Sequence, residues 1–200
     1  HLKSYFIQKF DIKAKTHNGI VLQRYLVQHG VHKLPYKCTI YHDQCGSMME
    51  QMCNAAHHMG VDTVAIPPNK QSLNEAESAI EIIWGAAHSH MDSAPHLPTK
   101  FFNKAVDIAC YAHDRMATSS SRGCQTPHEI IGRGVPDISH MQPFGRTADL
   151  YVHKAVHNLE SKKKAMAGAR RGQPAYFLGY QSMFNTTWEF VTDVDRGVMV

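Results

Sequence analysis

No stretch of this 200-residue sequence reaches the run of roughly 18 apolar residues that a helical membrane span requires. A membrane partner is therefore not expected. The first residues do not carry the basic-then-apolar pattern of a secretory signal, so secretion is not expected either. Cysteines are few, at 38, 45, 53, 110 and 124. They are odd in number and lack framework spacing, which argues against a disulfide scaffold and for reduced thiols in an intracellular compartment. No internal repeat is present, so a solenoid or propeller is excluded. An initiating methionine is missing as well: the chain begins His1-Leu2-Lys3 and reads as an excerpt of a longer polypeptide.

What is present describes a globular protein, with 43% hydrophobic and 19% charged residues. The formal charge of +4, with 15 further histidines, is compatible with a nucleic-acid partner without indicating one. The first 91 residues alternate strand and helix signals. Residues 4–10 (SYFIQKF) have strand character, 14–30 a helical period ending at Gly30, and 36–42 strand alternation. Residues 47–60 bring Met48, Met49, Met52, Cys53, Ala56 and Met59 to one helical face, and 61–68 form a short strand stopped by prolines. A helix follows, and 97–116 predicts another, with Phe101, Ala105, Ile108, Ala109, Ala112 and Met116 on its apolar stripe. Such alternation predicts an α/β fold with a partly parallel sheet. Turn formers then accumulate, and 176–180, 186–192 and 197–200 read as strands. The expected division is an α/β core over 1–116, a helical and loop extension over 117–137, and a small β-rich module over 138–200.

Two carboxylates stand out. Asp43 directly follows a predicted strand, and in open α/β sheets the carboxyl ends of strands line the functional crevice. Leu73, Ala76, Ile80, Ile83, Trp84, Ala87 and Met91 define one face of the helix after Pro68. Glu77 sits at the edge of that face, whereas Glu75 points away. A carboxylate at an apolar edge becomes tolerable beside a divalent cation, and hard cations such as magnesium favour oxygen ligands. The bland alternatives are an Asp that turns the chain or caps a helix, and a Glu that bends out to water.

In order, several segments resemble one family. IYHDQCGSM (40–48) and GVDTVAIPPNKQSLNEAES (60–78) are similar to the second half of a retroviral-type integrase core of the copia-like retrotransposon kind. The segment from Phe101 to Gly145 resembles the stretch after that core. AYFLGYQ (175–181) and TWEFVTDVDRGVMV (187–200) resemble the small Src-homology-3-like barrel behind it. The resemblance implies a ribonuclease-H-like core, here partial with its N-terminal strands missing. It implies an Asp-Asp-Glu triad that holds two Mg2+ or Mn2+ ions for DNA integration by phosphodiester strand transfer. Asp43 is then the second carboxylate and Glu77 the third, both catalytic and metal-binding. The first aspartate is not matched, Gln44-Cys45-Gly46 stands where the family favours Asn-Gly-Gly, and the excerpt alone is expected to be inactive. The implied partners are DNA, as element ends and target, and further copies of the chain. The implied setting is intracellular, and nuclear if the protein functions.

Other readings stay open. Lys162, Lys163, Lys164, Arg170 and Arg171 form a basic cluster that could contact phosphates or be a solvated loop. Cys45, Cys53, His57 and His58 could bind zinc, or Cys53 could pack in the core with surface histidines. His42, Asp43 and Cys45 could suggest a thiol nucleophile, but neighbours on a strand face opposite sides. Trp84 and the Met48–Met52 group are expected in the core. The function classes that remain are an integrase fragment, a non-catalytic nucleic-acid-binding or assembly module derived from a retroelement, and an unrelated α/β domain with a small-ligand pocket.

Overall fold

Glycines and apolar spacing set the elements of this computed structural model, which describes residues 6–12, 17–33, 37–43, 46–67, 75–117, 123–151, 172–182, 187–193 and 198–199. The described chain runs α1 (Asn18–Gln28), β1 (Thr39–Asp43), α2 (Gly46–His58), β2 (Asp62–Ile66), α3 (Glu75–Ser93), α4 (Phe102–His113), α5 (Pro127–Ile130), β3 (Thr147–Tyr151), β4 (Gly172–Tyr180), β5 (Trp188–Asp193) and β6 (Val198–Met199). The fold is mixed α/β. It divides into two compact units, Lys9–Glu81 and His1–Gln8 with Ile82–Val200. The predicted boundaries at 116 and 137 both fall inside the second of these.

In the Lys9–Glu81 unit, α1 and α2 each end at a glycine in left-handed conformation, Gly30 at φ 63° and Gly60 at φ 71°. Gly19 has a packing role. A Cβ there would meet the Gln51 carbonyl oxygen of α2 at 3.0 Å, so the missing side chain lets the two helices approach. β1 and β2 pair in parallel, from Thr39 opposite Asp62 to Asp43 opposite Ile66. Parallel neighbours need a crossover, and α2 supplies it. Leu26, Ala56 and Val61 are buried at the centre, with Leu22, Tyr25, Cys38, Ile40 and Met59 packed around them.

The other unit is built on α4. Ala105, Ile108, Ala109, Cys110 and Tyr111 share a core with Ala175, Phe177 and Leu178 of β4 and Phe190 and Val191 of β5. The sheet is antiparallel in the order β3-β4-β5-β6, with register shifts between Phe177 and Gly179 and between Val191 and Asp193. α5 begins with a complete capping box: the Thr126 side chain accepts from the Glu129 N–H, and the Glu129 carboxylate accepts from the Thr126 N–H at 2.8 Å. The four strands lie within residues 147–199, and β3 is one that its sequence did not announce.

Several expectations need correction. Residues 6–10 of the predicted first strand are not in a ladder; instead the Ile7 N–H donates to Asp114 Oδ1 at 2.9 Å. Strand character alone does not make a strand without a partner. The predicted face of α3 is also too wide. Ile83 and Ala87 are buried, but Ile80 is 53% and Trp84 56% exposed. Trp84 is therefore not a core residue; its ring lies edge-on to Phe102 at 6.5 Å. Met116, at the end of the predicted α4 stripe, is exposed because the helix stops at His113.

Candidate functional site

Asp43 is the last residue of β1, so its backbone stands at the carboxyl end of the parallel pair, opposite Ile66. Its side chain is outside the described residues. Glu77 lies in the first turn of α3 and is exposed. Both belong to the Lys9–Glu81 unit. Their chemistry, two carboxylates offering hard oxygen donors, suits Mg2+ or Mn2+. Among the described residues no group of three His, Cys, Asp or Glu side chains is placed to hold a metal ion. The zinc reading loses Cys45, which is outside the described residues. Cys53 is held in a different way: Thr63 Oγ1 donates to its sulfur at 3.4 Å, and His42 Nε2 lies 3.9 Å from it. These contacts join α2 to both strands.

Lys162, Lys163, Lys164, Arg170 and Arg171 lie outside the described residues. A different cationic feature appears where sequence reasoning placed nothing. Beside the β3–β4–β5 sheet is a recess of about 350 Å3, lined by Gln142, Arg146, Ala148, Phe177, Trp188 and Phe190. Phe177 and Phe190 are buried and form the floor, while Trp188 is 42% exposed. The three rings pack edge to face, with centroids 5.8–6.1 Å apart. The exposed Arg146 donates a hydrogen bond to the Gln142 amide oxygen. The sequence signal was the two-residue spacing of Trp188 and Phe190, which places both on one face of a strand.

A buried polar cluster fixes the rim of this recess. The Tyr111 hydroxyl and His140 Nε2 share a hydrogen bond of 2.6 Å. Tyr111 stacks on Tyr180 at 4.1 Å on one side, and the Arg115 guanidinium lies 3.4 Å from its ring centre. The Tyr180 hydroxyl donates to the His140 carbonyl at 3.3 Å and accepts from the Gln142 N–H at 3.2 Å. Burial pushes the hydroxyls of Tyr111 and Tyr180 above the ordinary tyrosine range and pulls Arg115 below the ordinary arginine range. Asp114, next in α4, is fully buried, and burial raises its carboxyl above the usual range despite the hydrogen bonds from His113 and Ile7.

No protein-family profile matches this chain, and no curated protein matches its sequence. Among solved structures, it is similar to a chain in the cryo-electron-microscopy structure of the simian T-cell lymphotropic virus intasome in complex with PP2A regulatory subunit B56 gamma. The TM-score is 0.47 and the identity 14%, over 90% of this chain and 63% of that one. This chain thus spans less than two thirds of that neighbour's length. A likeness at this level supports no conclusion about function.

Proposed function

We propose that the chain is a fragment of a copia-type retrotransposon integrase: part of a ribonuclease-H-like core followed by a small Src-homology-3-like barrel, acting on DNA. One observation carries the reading. Within Lys9–Glu81 the chain runs strand, helix, parallel strand, helix; Asp43 closes the first strand and Glu77 lies in the first turn of the second helix. This is where an α/β sheet presents groups to a ligand.

Asp43 and Glu77 are the residues that hold Mg2+ or Mn2+ in this reading. Such ions, when bound, supply Lewis acidity at a phosphodiester. The protein's own part is to present the two carboxylates from separate elements and to bind DNA, whether element ends or target, through Lys162–Lys164, Arg170 and Arg171. With two of the three carboxylates this chemistry uses, the chain binds metal and DNA without joining strands. Self-association and a nuclear setting belong to the same reading.

Manganese titration followed by water-proton relaxation tests it. Asp43→Asn and Glu77→Gln each lower Mn2+ affinity by about tenfold or more, a loss of roughly 1.4 kcal/mol; Asp92→Asn, an exposed acid near the end of α3, does not. Equal affinity in all four proteins removes the metal centre. What then survives is a non-catalytic nucleic-acid-binding module derived from a retroelement, favoured by the departure at Gln44-Cys45-Gly46. That module binds DNA without divalent ions, with an affinity that falls steeply with salt.

A further inference from the structure

The recess beside β3, β4 and β5 combines three features that no assigned role uses. Its floor is apolar and aromatic, its one charged lining group is a guanidinium, and its volume is about 350 Å3. Small-ligand pockets run from about 300 to 1,000 Å3, so this one holds a single ring system rather than an extended peptide or a helix face.

Charge decides the class of ligand. Three rings around a small space could form a cage for a quaternary ammonium group, but Arg146 at the opening repels a cation. No acid among the described residues lines the recess. Glu189 lies between Trp188 and Phe190 on β5, so alternation turns it to the other face, where its carboxylate is bound by Lys104 Nζ at 2.5 Å. Asp149, next to Ala148 on β3, is turned away by the same rule. Among the described residues, the charge at the recess is therefore positive. A planar guanidinium has five N–H donors in a fork that matches phosphate oxygens, and the Gln142 amide oxygen leaves others to use.

We infer that the recess is a binding site for one unpaired nucleotide, with the base on the Trp188 and Phe190 rings and the phosphate on Arg146. It rests on the nucleic-acid reading above and narrows it. A base in a duplex is stacked between its neighbours and cannot enter, so the site selects single-stranded ends or extruded nucleotides. Stacking on an aromatic ring tolerates any base, so the rings themselves set no base preference.

The sequence contains two tryptophans, so Trp84→Phe leaves Trp188 as the only indole. Its fluorescence reports binding in that background. AMP quenches it saturably, and adenosine, which lacks the phosphate, binds about tenfold more weakly. Arg146→Gln reduces AMP to the level of adenosine and leaves adenosine unchanged. Because Arg146 is exposed, this variant keeps the fold. Trp188→Ala, checked for folding by circular dichroism, abolishes competition by AMP for a fluorescent single-stranded oligonucleotide. Three results overturn the site: no saturation up to about 10 mM AMP, far weaker than a useful micromolar contact; equal binding of AMP and adenosine; or displacement of AMP by choline, which marks a cation cage. If AMP fails while Mn2+ affinity still depends on Asp43 and Glu77, the recess reading falls alone. If AMP binds as described and those two variants leave Mn2+ affinity unchanged, the recess stands and the catalytic-core reading falls.

Discussion

Replacing Asp114 by asparagine shifts the balance of stability between variant and native protein toward the variant as pH rises from 4 to 8. Asp114 is 0% exposed at the end of α4. Its Oδ1 accepts from the Ile7 N–H at 2.9 Å and lies 3.4 Å from His113 Nδ1, whereas Oδ2 is buried with no partner among the described residues. Burial disfavours the charged form and raises the carboxyl above its ordinary value of 3.8. The sign follows from linkage. The native state keeps a proton that the unfolded chain has lost, so the acid's contribution to stability is greatest below about pH 3.8 and declines as pH rises through the native value. Asparagine has no charge to bury and still accepts from Ile7 through Oδ1; its amide N–H donors, at the partnerless Oδ2 position, carry a cost of about 1–3 kcal/mol that is the same at both pH values. The difference in unfolding free energy between variant and native protein should therefore grow in favour of asparagine from pH 4 to pH 8, by about 1.4 kcal/mol for each unit by which the carboxyl is raised. In a chain of this size that is about 2–4 °C in Tm per kcal/mol. Thermal melts of both proteins at the two pH values measure it, and titrations of groups remote from Asp114 cancel in the difference. A difference that is flat, or that turns against asparagine as pH rises, would show that the fold stabilises the carboxylate and that the burial argument is wrong.

Gly145→Ala is expected to be severely destabilising: Gly145 has φ 74°, and a Cβ there would stand 2.5 Å from the Ala94 Cβ. Strain and overpacking together cost at least about 2 kcal/mol, read as a fall in the urea midpoint; unchanged stability would mean that the 94–97 turn yields freely. Thr126→Ala removes the cap of α5 and costs about 0.5–2 kcal/mol, whereas Thr126→Ser costs less than half as much by the same measurement. Leu178→Ala empties a fully buried position of β4 and costs about 2–5 kcal/mol; a smaller loss in chemical denaturation would indicate that α4 and β5 collapse into the gap.

Local signals identified the elements whose causes are local. Gly30 and Gly60 mark the ends of α1 and α2 because only a left-handed residue closes those helices, and β1 and β2, which flank α2, followed from alternation and from the prolines after Ile66. Elements that depend on distant partners did not show. Residues 6–10 look like a strand, but the Ile7 N–H goes to Asp114, 107 residues later. β3 is five residues between turn signals, and its status comes from pairing with β4, from Thr147 opposite Tyr176 to Tyr151 opposite Gly172. The periodicity of α3 was real, but burial depends on what faces the helix. Ile83 and Ala87 meet a neighbour and Ile80 does not. Among candidate site residues, the placement of Asp43 at a strand end was legible because it needs only a strand boundary. The recess was not, since it combines a loop residue near 146 with three strands whose order no short window contains.

The recess rim depends on the polar cluster beneath it. Gln142 is fixed by the Tyr180 hydroxyl, Tyr180 stacks on Tyr111, and Tyr111 is bound to His140 and covered by Arg115. An apolar cluster of the same volume would cost less to bury, because His140 Nδ1 is itself buried without a partner among the described residues. Apolar packing is not directional, however, and could not set the height of one backbone N–H in the 138–145 segment. Hydrogen bonds do set it, and a wrong position leaves buried donors unpaired. The stability given up at His140 is thus offset by a fixed Gln142 backbone, from which the side-chain amide reaches Arg146. In the nucleotide reading, that arrangement serves to present the guanidinium to a ligand of fixed shape, a phosphate above an aromatic floor.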